Sequence, residues 1–493
     1  MNEIRTIERV PSGVPGLDTI LNGGFTKSGI HILEGPPGAG KTTLANQICY
    51  SHAAAGGVAL YVTLLAETHT QLLLNLATMR FFDLSLLPER ISYISGFGAM
   101  EEEGLAGLVT LLRREIGASK ATVLVLDGLT AARDQAASNT AFKMFVQELR
   151  TQAALHGCTV FLLTTASGQV LAPEYTMVDG IVELMDHRFG SRSQRSLYVN
   201  KLRGSDYLPG RHPFRITPEG LVVNPRIEAE FRVSTRLDKA WPGKLSIGVK
   251  GVDVMLGGGV PEASVTGLMG PSGIGKTSMG LHFLSGSSSN EPGLCFGFYE
   301  TPPRSLQKAA RFGLDLDAAM RRGDLEILWQ AQGENSQDAL AHGLLEAVGR
   351  RGVRRLFLDG LGGFIEASVE PDRISRFFSV LANELRARGV TTLYTMETQN
   401  ILDFGIRMPV TGMSSIVENL IALRYVESGS RSRRLLSVVK VRDSGFDPAV
   451  REFVINDGSG VFLAGAFQRL EELWSGSAPE RAKEGSSSTP EDQ

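Results

Sequence analysis

Two stretches have residue types and spacing suited to phosphate chemistry. They are Gly35-Pro36-Pro37-Gly38-Ala39-Gly40-Lys41-Thr42 and Gly270-Pro271-Ser272-Gly273-Ile274-Gly275-Lys276-Thr277. Both read G-x-x-x-x-G-K-[ST]. In that pattern the glycines let the backbone turn tightly, with its N–H groups facing phosphate oxygens. The lysine neutralises the β- and γ-phosphates, and the threonine hydroxyl holds Mg²⁺. Gly35, Gly38, Gly40, Lys41, Thr42 and Thr43 are therefore expected to bind ATP, as are Gly270, Gly273, Gly275, Lys276, Thr277 and Ser278. Asp127 closes the apolar run Val123-Leu124-Val125-Leu126, and Asp359 closes Leu356-Phe357-Leu358. An aspartate at such a strand end, downstream of a P-loop, is in the place that holds the Mg²⁺-bound water. The plainer reading is a polar residue ending a strand.

Hydrolysis also needs a group to orient the attacking water. Glu67 follows Leu60-Tyr61-Val62-Thr63-Leu64-Leu65, and Glu300 follows Cys295-Phe296-Gly297-Phe298. Each is expected near the γ-phosphate, on the reasoning that its strand adjoins the P-loop strand. A carboxylate at a helix start, stabilised by the dipole, is the alternative. Lys201-Leu202-Arg203 and Lys440-Val441-Arg442 lie on late strand-like segments. Residues two apart on a strand share a face. They read either as a solvated face or as cations reaching a neighbouring subunit's γ-phosphate, which implies a ring with nucleotide at its interfaces.

The elements that must position these residues recur in pairs. Gly29–Glu34 and Ser264–Met269 are strand-like runs before the two loops, and helix-like runs follow at Thr43–Ala55 and Ser278–Leu284. Pro11–Gly24 returns as Leu245–Gly258. Lys41, Glu67, Asp127 and Lys201 return as Lys276, Glu300, Asp359 and Lys440, at offsets between 232 and 239 residues. A near-constant offset of that size means a duplicated domain rather than a solenoid. After Asp127, apolar Phe142, Phe145, Val146 and Leu149 follow helical spacing, with Ser138 suited to an N-cap and Gly157 to the C-terminal stop. The strand-like run Thr159–Thr164 comes next. Ile374, Phe377, Phe378, Leu381 and Leu385, then Gly389 and Val390–Thr395, repeat the pattern. Strands alternating with amphipathic helices, with a P-loop in each unit, predict two tandem α/β domains of the P-loop NTPase kind. Each is a mostly parallel twisted sheet with helices on both faces. The expected division is 1–230, 231–465, and a short amphipathic helix with a disordered tail over 466–493.

Composition narrows the function. The 493 residues are 42% hydrophobic and 21% charged with net charge −3, which argues against a dedicated nucleic-acid binder. Cys49, Cys158 and Cys295 have no C-x-x-C spacing and read as buried reduced thiols. The N-terminus carries no secretory pattern, and no apolar run reaches membrane-spanning length, so a cytoplasmic protein is expected.

Over roughly residues 8 to 462 the chain resembles the KaiC family of tandem RecA-like ATPases. The resemblance rests on the repeated segment before each P-loop, the two P-loops, the glutamates, the aspartates and the Lys-x-Arg pairs. Its most specific stretch is Ile416–Glu427 leading to Lys440-Val441-Arg442 and then Arg451-Glu452-Phe453-Val454-Ile455. The resemblance implies a double-ringed hexamer with ATP at subunit interfaces, a first domain that is chiefly an ATPase, and a second that is an autokinase and autophosphatase. It also implies that a phosphate-accepting pair falls on Ser414 and Ser415, which by pattern alone read as small capping residues. It leaves room for a KaiB-like or other signalling partner. The family usually carries adjacent glutamates after the second strand. Here the pairs are Ala66-Glu67 and Tyr299-Glu300, so the first member is replaced in both domains. Two other readings stand beside this one. A nucleotide-gated scaffold without kinase activity accommodates the replaced glutamates. A RecA/RadA-like DNA-dependent motor needs a basic DNA loop, for which only Arg188–Arg195 and Arg431–Arg434 offer material.

Overall fold

The computed structural model describes residues 7–64, 69–165, 173–232, 241–331, 333–398, 416–428, 431–442 and 444–466. Glu67, Ser414, Ser415 and the segment after 466 lie outside the described residues. The chain forms two compact units. One comprises 1–235, 333–346 and 364–381, and the other the remainder.

In the first repeat the strands are β1 (Ile30–Glu34), β2 (Ala59–Thr63), β3 (Ile91–Ser95), β4 (Val123–Asp127), β5 (Thr159–Thr164), β6 (Gly180–Phe189), β7 (Arg192–Leu202), β8 (His212–Thr217) and β9 (Gly220–Val223). They form one nine-stranded sheet in the order β3-β2-β4-β5-β1-β6-β7-β8-β9. Pairing is parallel from β3 through β6 and antiparallel from β6 through β9. The crossovers include helices α1 (Lys41–Ala54), α2 (Phe97–Ser119) and α3 (Asn139–His156).

The alternation of the strands places these helices. Leu33, Tyr61, Val123, Val125, Phe161 and Leu163 join one buried cluster with Leu44, Ile48 and Cys49 of α1. Their sequence neighbours Ile32, Leu60, Leu124, Leu126, Val160 and Leu162 join another with Leu108 and Leu112 of α2 and Phe145 and Leu149 of α3. Successive side chains of a strand point to opposite faces, so two such clusters mean a sheet covered on both sides. Helix α3 begins where the sequence signals it. The Ser138 side chain accepts from Ala141 N at 3.1 Å, and the helix stops at Gly157 with φ 63°.

The second repeat has β10 (Val265–Gly270), α4 (Lys276–Ser285), β11 (Gly293–Gly297), α5 (Pro302–Arg311), β12 (Leu325–Trp329), β13 (Arg355–Asp359), α6 (Ile374–Ala387), β14 (Thr391–Glu397), β15 (Asn419–Ser428), β16 (Arg431–Lys440), β17 (Arg451–Asn456) and β18 (Gly460–Ala466). Its sheet order, β12-β11-β13-β14-β10-β15-β16-β17-β18, is that of the first strand for strand.

This order corrects one expectation. The strands leading to Glu67 and Glu300 do not adjoin the P-loop strands. Two strands separate β2 from β1 and β11 from β10. Instead β2 pairs directly with β4, setting Thr63 opposite Asp127, and β11 sets Gly297 opposite Asp359. The chain leaving β2 or β11 therefore starts beside the aspartate expected to serve the cation.

Candidate functional site

Each P-loop springs from the carboxyl end of the central strand and opens a helix. Gly40 and Gly275 stand just before α1 and α4 with φ 105° and 118°, a left-handed conformation that glycine adopts without a Cβ penalty. Gly35 is required for a different reason. A Cβ there would lie 2.3 Å from the carbonyl oxygen of Leu184, and one at Gly270 would lie 2.6 Å from that of Leu423.

Lys41 Nζ donates to the carbonyls of Gly35 at 2.6 Å and Pro36 at 3.0 Å. Lys276 Nζ donates to those of Gly270 and Pro271, each at 2.7 Å. The lysines thus bridge their own loops. Burial lowers the pKa of both. The charge of Asp127 opposes the shift at Lys41, and those of Glu397 and Asp359 oppose it at Lys276. A cation half withdrawn from water at the first turn of a helix is suited to receive an anion.

The threonine and aspartate expected to serve Mg²⁺ meet in both repeats. Thr42 Oγ1 donates to Asp127 Oδ2 at 3.3 Å, and Thr277 Oγ1 lies 3.1 Å from both oxygens of Asp359. Burial raises both carboxyl pKa values, opposed by the hydrogen bonds they accept. One hydroxyl and one buried carboxylate are a hard-oxygen donor pair. They fit a cation that keeps several waters and draws its other ligands from phosphate. Among the described residues there is no group of three or more His, Cys, Asp or Glu that would cage a metal by itself.

Glu300 lies close enough to Asp359 that its charge helps raise that carboxyl. Lys308, two turns along in α5, donates to Glu300 Oε1. Glu67 and the Ser414–Ser415 pair fall outside the described residues. The Lys-x-Arg residues contact their own chain. Lys201 Nζ donates to Tyr175 O at 2.8 Å, and Arg203 Nη2 donates to Thr176 O at 2.7 Å, so the pair does share a side of the strand. Lys440 Nζ donates to Val417 O at 2.8 Å, and the Arg442 backbone N donates to Asn419 Oδ1 at 3.3 Å.

Three contributors carry no motif, and sequence pattern does not single them out. Tyr61 OH donates to Asp127 Oδ2 at 2.7 Å, and Thr395 Oγ1 donates to Asp359 Oδ1 at 3.1 Å. Lys308 is the third. Only its place eight residues after Glu300, on a helix opened by Pro302, hints at contact.

Duplicated P-loops on doubly wound sheets, each with a threonine–aspartate pair beneath it, define a tandem RecA-like P-loop ATPase. The KaiC ATPase family model matches residues 10–228 and again 245–465. The chain belongs to the KaiC family. It is 25% identical to the circadian clock oscillator protein KaiC of Rippkaea orientalis, over 97% of this chain and 92% of that one. The circadian clock protein KaiC3 of Synechocystis is 24% identical over 95% of this chain and 94% of its own length. The Synechococcus elongatus circadian clock oscillator protein KaiC is 23% identical over 97% and 93%. Among the described residues no helix is long and apolar enough to cross a membrane.

Proposed function

We propose that the chain hydrolyses Mg-ATP at both P-loops as a homo-hexamer with nucleotide at the subunit interfaces, and that its second domain transfers phosphate to and from Ser414 and Ser415. The observation that carries the reading is the Thr–Asp pair set beneath a P-loop twice, at 3.3 Å and 3.1 Å. Lys41 and Lys276 leave their loop carbonyls for the β- and γ-phosphates. Thr42 and Thr277, backed by Asp127 and Asp359, hold the Mg²⁺, which neutralises charge on the phosphate oxygens. Glu67 and Glu300 orient the attacking water, and Glu300 also takes the acceptor serine's proton. Lys201, Arg203 and Lys440 exchange their own-chain carbonyls for the neighbour's γ-phosphate, and Arg442 reaches it with them. The names of the relatives, circadian clock proteins, support a clock or related timing role. The same proposal has the ring in the cytoplasm, with a KaiB-like or other signalling protein reading its state.

The test is incubation of purified protein with Mg-ATP and mass spectrometry of the peptide containing Ser414 and Ser415, beside Glu300→Gln. Phosphate present in wild type and lost in the variant establishes the autokinase. ADP release from an assembled hexamer without phosphate on that peptide leaves an ATPase scaffold and removes the kinase. A monomer at saturating Mg-ATP, measured by light scattering, removes the ring.

A further inference from the structure

The two metal aspartates are held by different neighbours. In the first repeat Thr42 and Tyr61 both donate to Oδ2 of Asp127, the phenol at 2.7 Å and the threonine at 3.3 Å. Tyr61 is 1% exposed, and its ring lies 5.3 Å from that of Tyr93 on the adjacent strand. Tyr93 OH donates to Asn46 Oδ1 at 2.7 Å, and Asn46 Nδ2 donates to the backbone carbonyl of Thr42 at 2.8 Å. Thr42 and Asp127 are therefore tied to one polar layer of buried Tyr61 and Asn46 and half-buried Tyr93.

Strand register identifies the matching positions in the second repeat. Tyr61 stands opposite Tyr93 and Val125, and Cys295 opposite Ile327 and Phe357. Asn46 and Leu281 each lie five residues beyond the P-loop lysine. The second repeat thus has Cys295, Ile327 and Leu281 where the first has Tyr61, Tyr93 and Asn46. Its Asp359 is held by Thr395, whose Oγ1 also accepts from Gly360 N at 2.7 Å. The first repeat offers no such hydroxyl at the matching position, because Leu163 stands opposite Asp127.

We propose that Tyr61, backed by Tyr93 and Asn46, is a positioning residue that pre-aims Asp127 toward the divalent cation of the first site, while Thr395 supplies that support independently in the second. A buried carboxylate with one oxygen fixed by two donors presents its other oxygen in a set direction, and outer-shell partners of this kind govern metal affinity. The two sites of one chain then have cation affinities that vary separately.

The inference rests on Asp127 and Asp359 serving the cation, and the experiment separates the two ideas. Mn²⁺ binding to the full chain is followed by electron paramagnetic resonance with a non-hydrolysable ATP analogue at saturation, for wild type, Tyr61→Phe, Asn46→Leu, Thr395→Val and Asp127→Asn. Analogue binding in EDTA and the melting temperature report on the fold. Tyr61→Phe is expected to weaken one of two Mn²⁺ sites about ten- to hundredfold and leave analogue binding in EDTA unchanged. Asn46→Leu, which does not touch Asp127, weakens the same site by a smaller factor, and Thr395→Val weakens the other. Wild-type binding of both ions by Tyr61→Phe, or equal losses at both sites, overturns the proposal. Loss of one ion in Asp127→Asn with none in Tyr61→Phe overturns the role of Tyr61 alone. Two tightly held ions in Asp127→Asn overturn the metal reading together with the inference.

Discussion

Lys308 donates a hydrogen bond to one oxygen of Glu300, while the other, Oε2, is buried and accepts no hydrogen bond from any described residue. The lysine thus fixes the carboxylate through one oxygen; in the function proposed above the second is the one that orients a water or hydroxyl, once nucleotide binding opens it to one. A general base works best when a third group holds it in place. Lys308→Met is expected to lower hydrolysis by the second domain about tenfold, and Lys308→Arg to restore most of it. The check is single-turnover ATP hydrolysis in a Lys41→Ala background, which silences the first site. A rise in rate on Lys308→Met would make the lysine an inhibitor of Glu300 instead of its support.

The P-loop lysines make the same pair of loop contacts in both repeats, so the two sites should load independently. Lys41→Ala and Lys276→Ala should each remove one of two tightly bound nucleotides per chain, and the double variant both. Loss of a charge-assisted phosphate contact at a partly buried site corresponds to a factor of about ten to a hundred or more in affinity. Nucleotide released from denatured protein, measured by chromatography against protein concentration, gives the count. Loss of both nucleotides in either single variant would mean that one site cannot fill without the other.

Much of this arrangement is legible in the chain because it is written in local pattern. The P-loops, the strand-ending aspartates and the duplication depend on spacing alone, and Ser138 and Gly157 mark the ends of their helix by residue type. Strand order is not legible. Nothing in Ala59–Thr63 states that it pairs with Val123–Asp127 instead of with Ile30–Glu34, because all three are buried apolar runs. Tyr61 and Thr395 escape for a related reason. Nothing in the residue type of either marks it out within its strand, and only the three-dimensional register reveals that it faces an aspartate. Glu67, Ser414 and Ser415 remain expectations from pattern and resemblance.

Within one P-loop, two glycines should respond differently to the same substitution. Gly35→Ala drives a Cβ to 2.3 Å from a backbone oxygen of the neighbouring strand, which cannot move without disturbing the sheet. Gly38 has φ 78°, and the space where its Cβ would stand is clear of other atoms to 4 Å, so alanine there meets only the left-handed backbone cost. The expected losses are about 3 kcal/mol for Gly35→Ala and about 1 kcal/mol for Gly38→Ala. Urea unfolding of the nucleotide-free protein measures both. Equal losses would show that the loop moves away from Leu184.

Acid should weaken the first repeat through His31. Its side chain is fully buried in the P-loop strand, 4.9 Å from the ring of Phe25, and its Nε2 bonds to the Thr26 carbonyl at 3.1 Å. Burial holds its pKa down at about 4, against 6.5 for an exposed histidine. Between pH 6.5 and about 4 the unfolded chain therefore binds a proton that the folded chain refuses, so stability falls as pH falls through that window. The full loss from this one group approaches roughly 3 kcal/mol. His212, also held at about 4 by burial, should add to it over the same range. His31→Leu should flatten the dependence of the urea midpoint on pH between 6.5 and about 4 without abolishing it, since His212 remains. An unchanged slope would mean that His31 becomes protonated in the folded state by opening β1 to water, and P-loop nucleotide binding would then weaken over the same pH range.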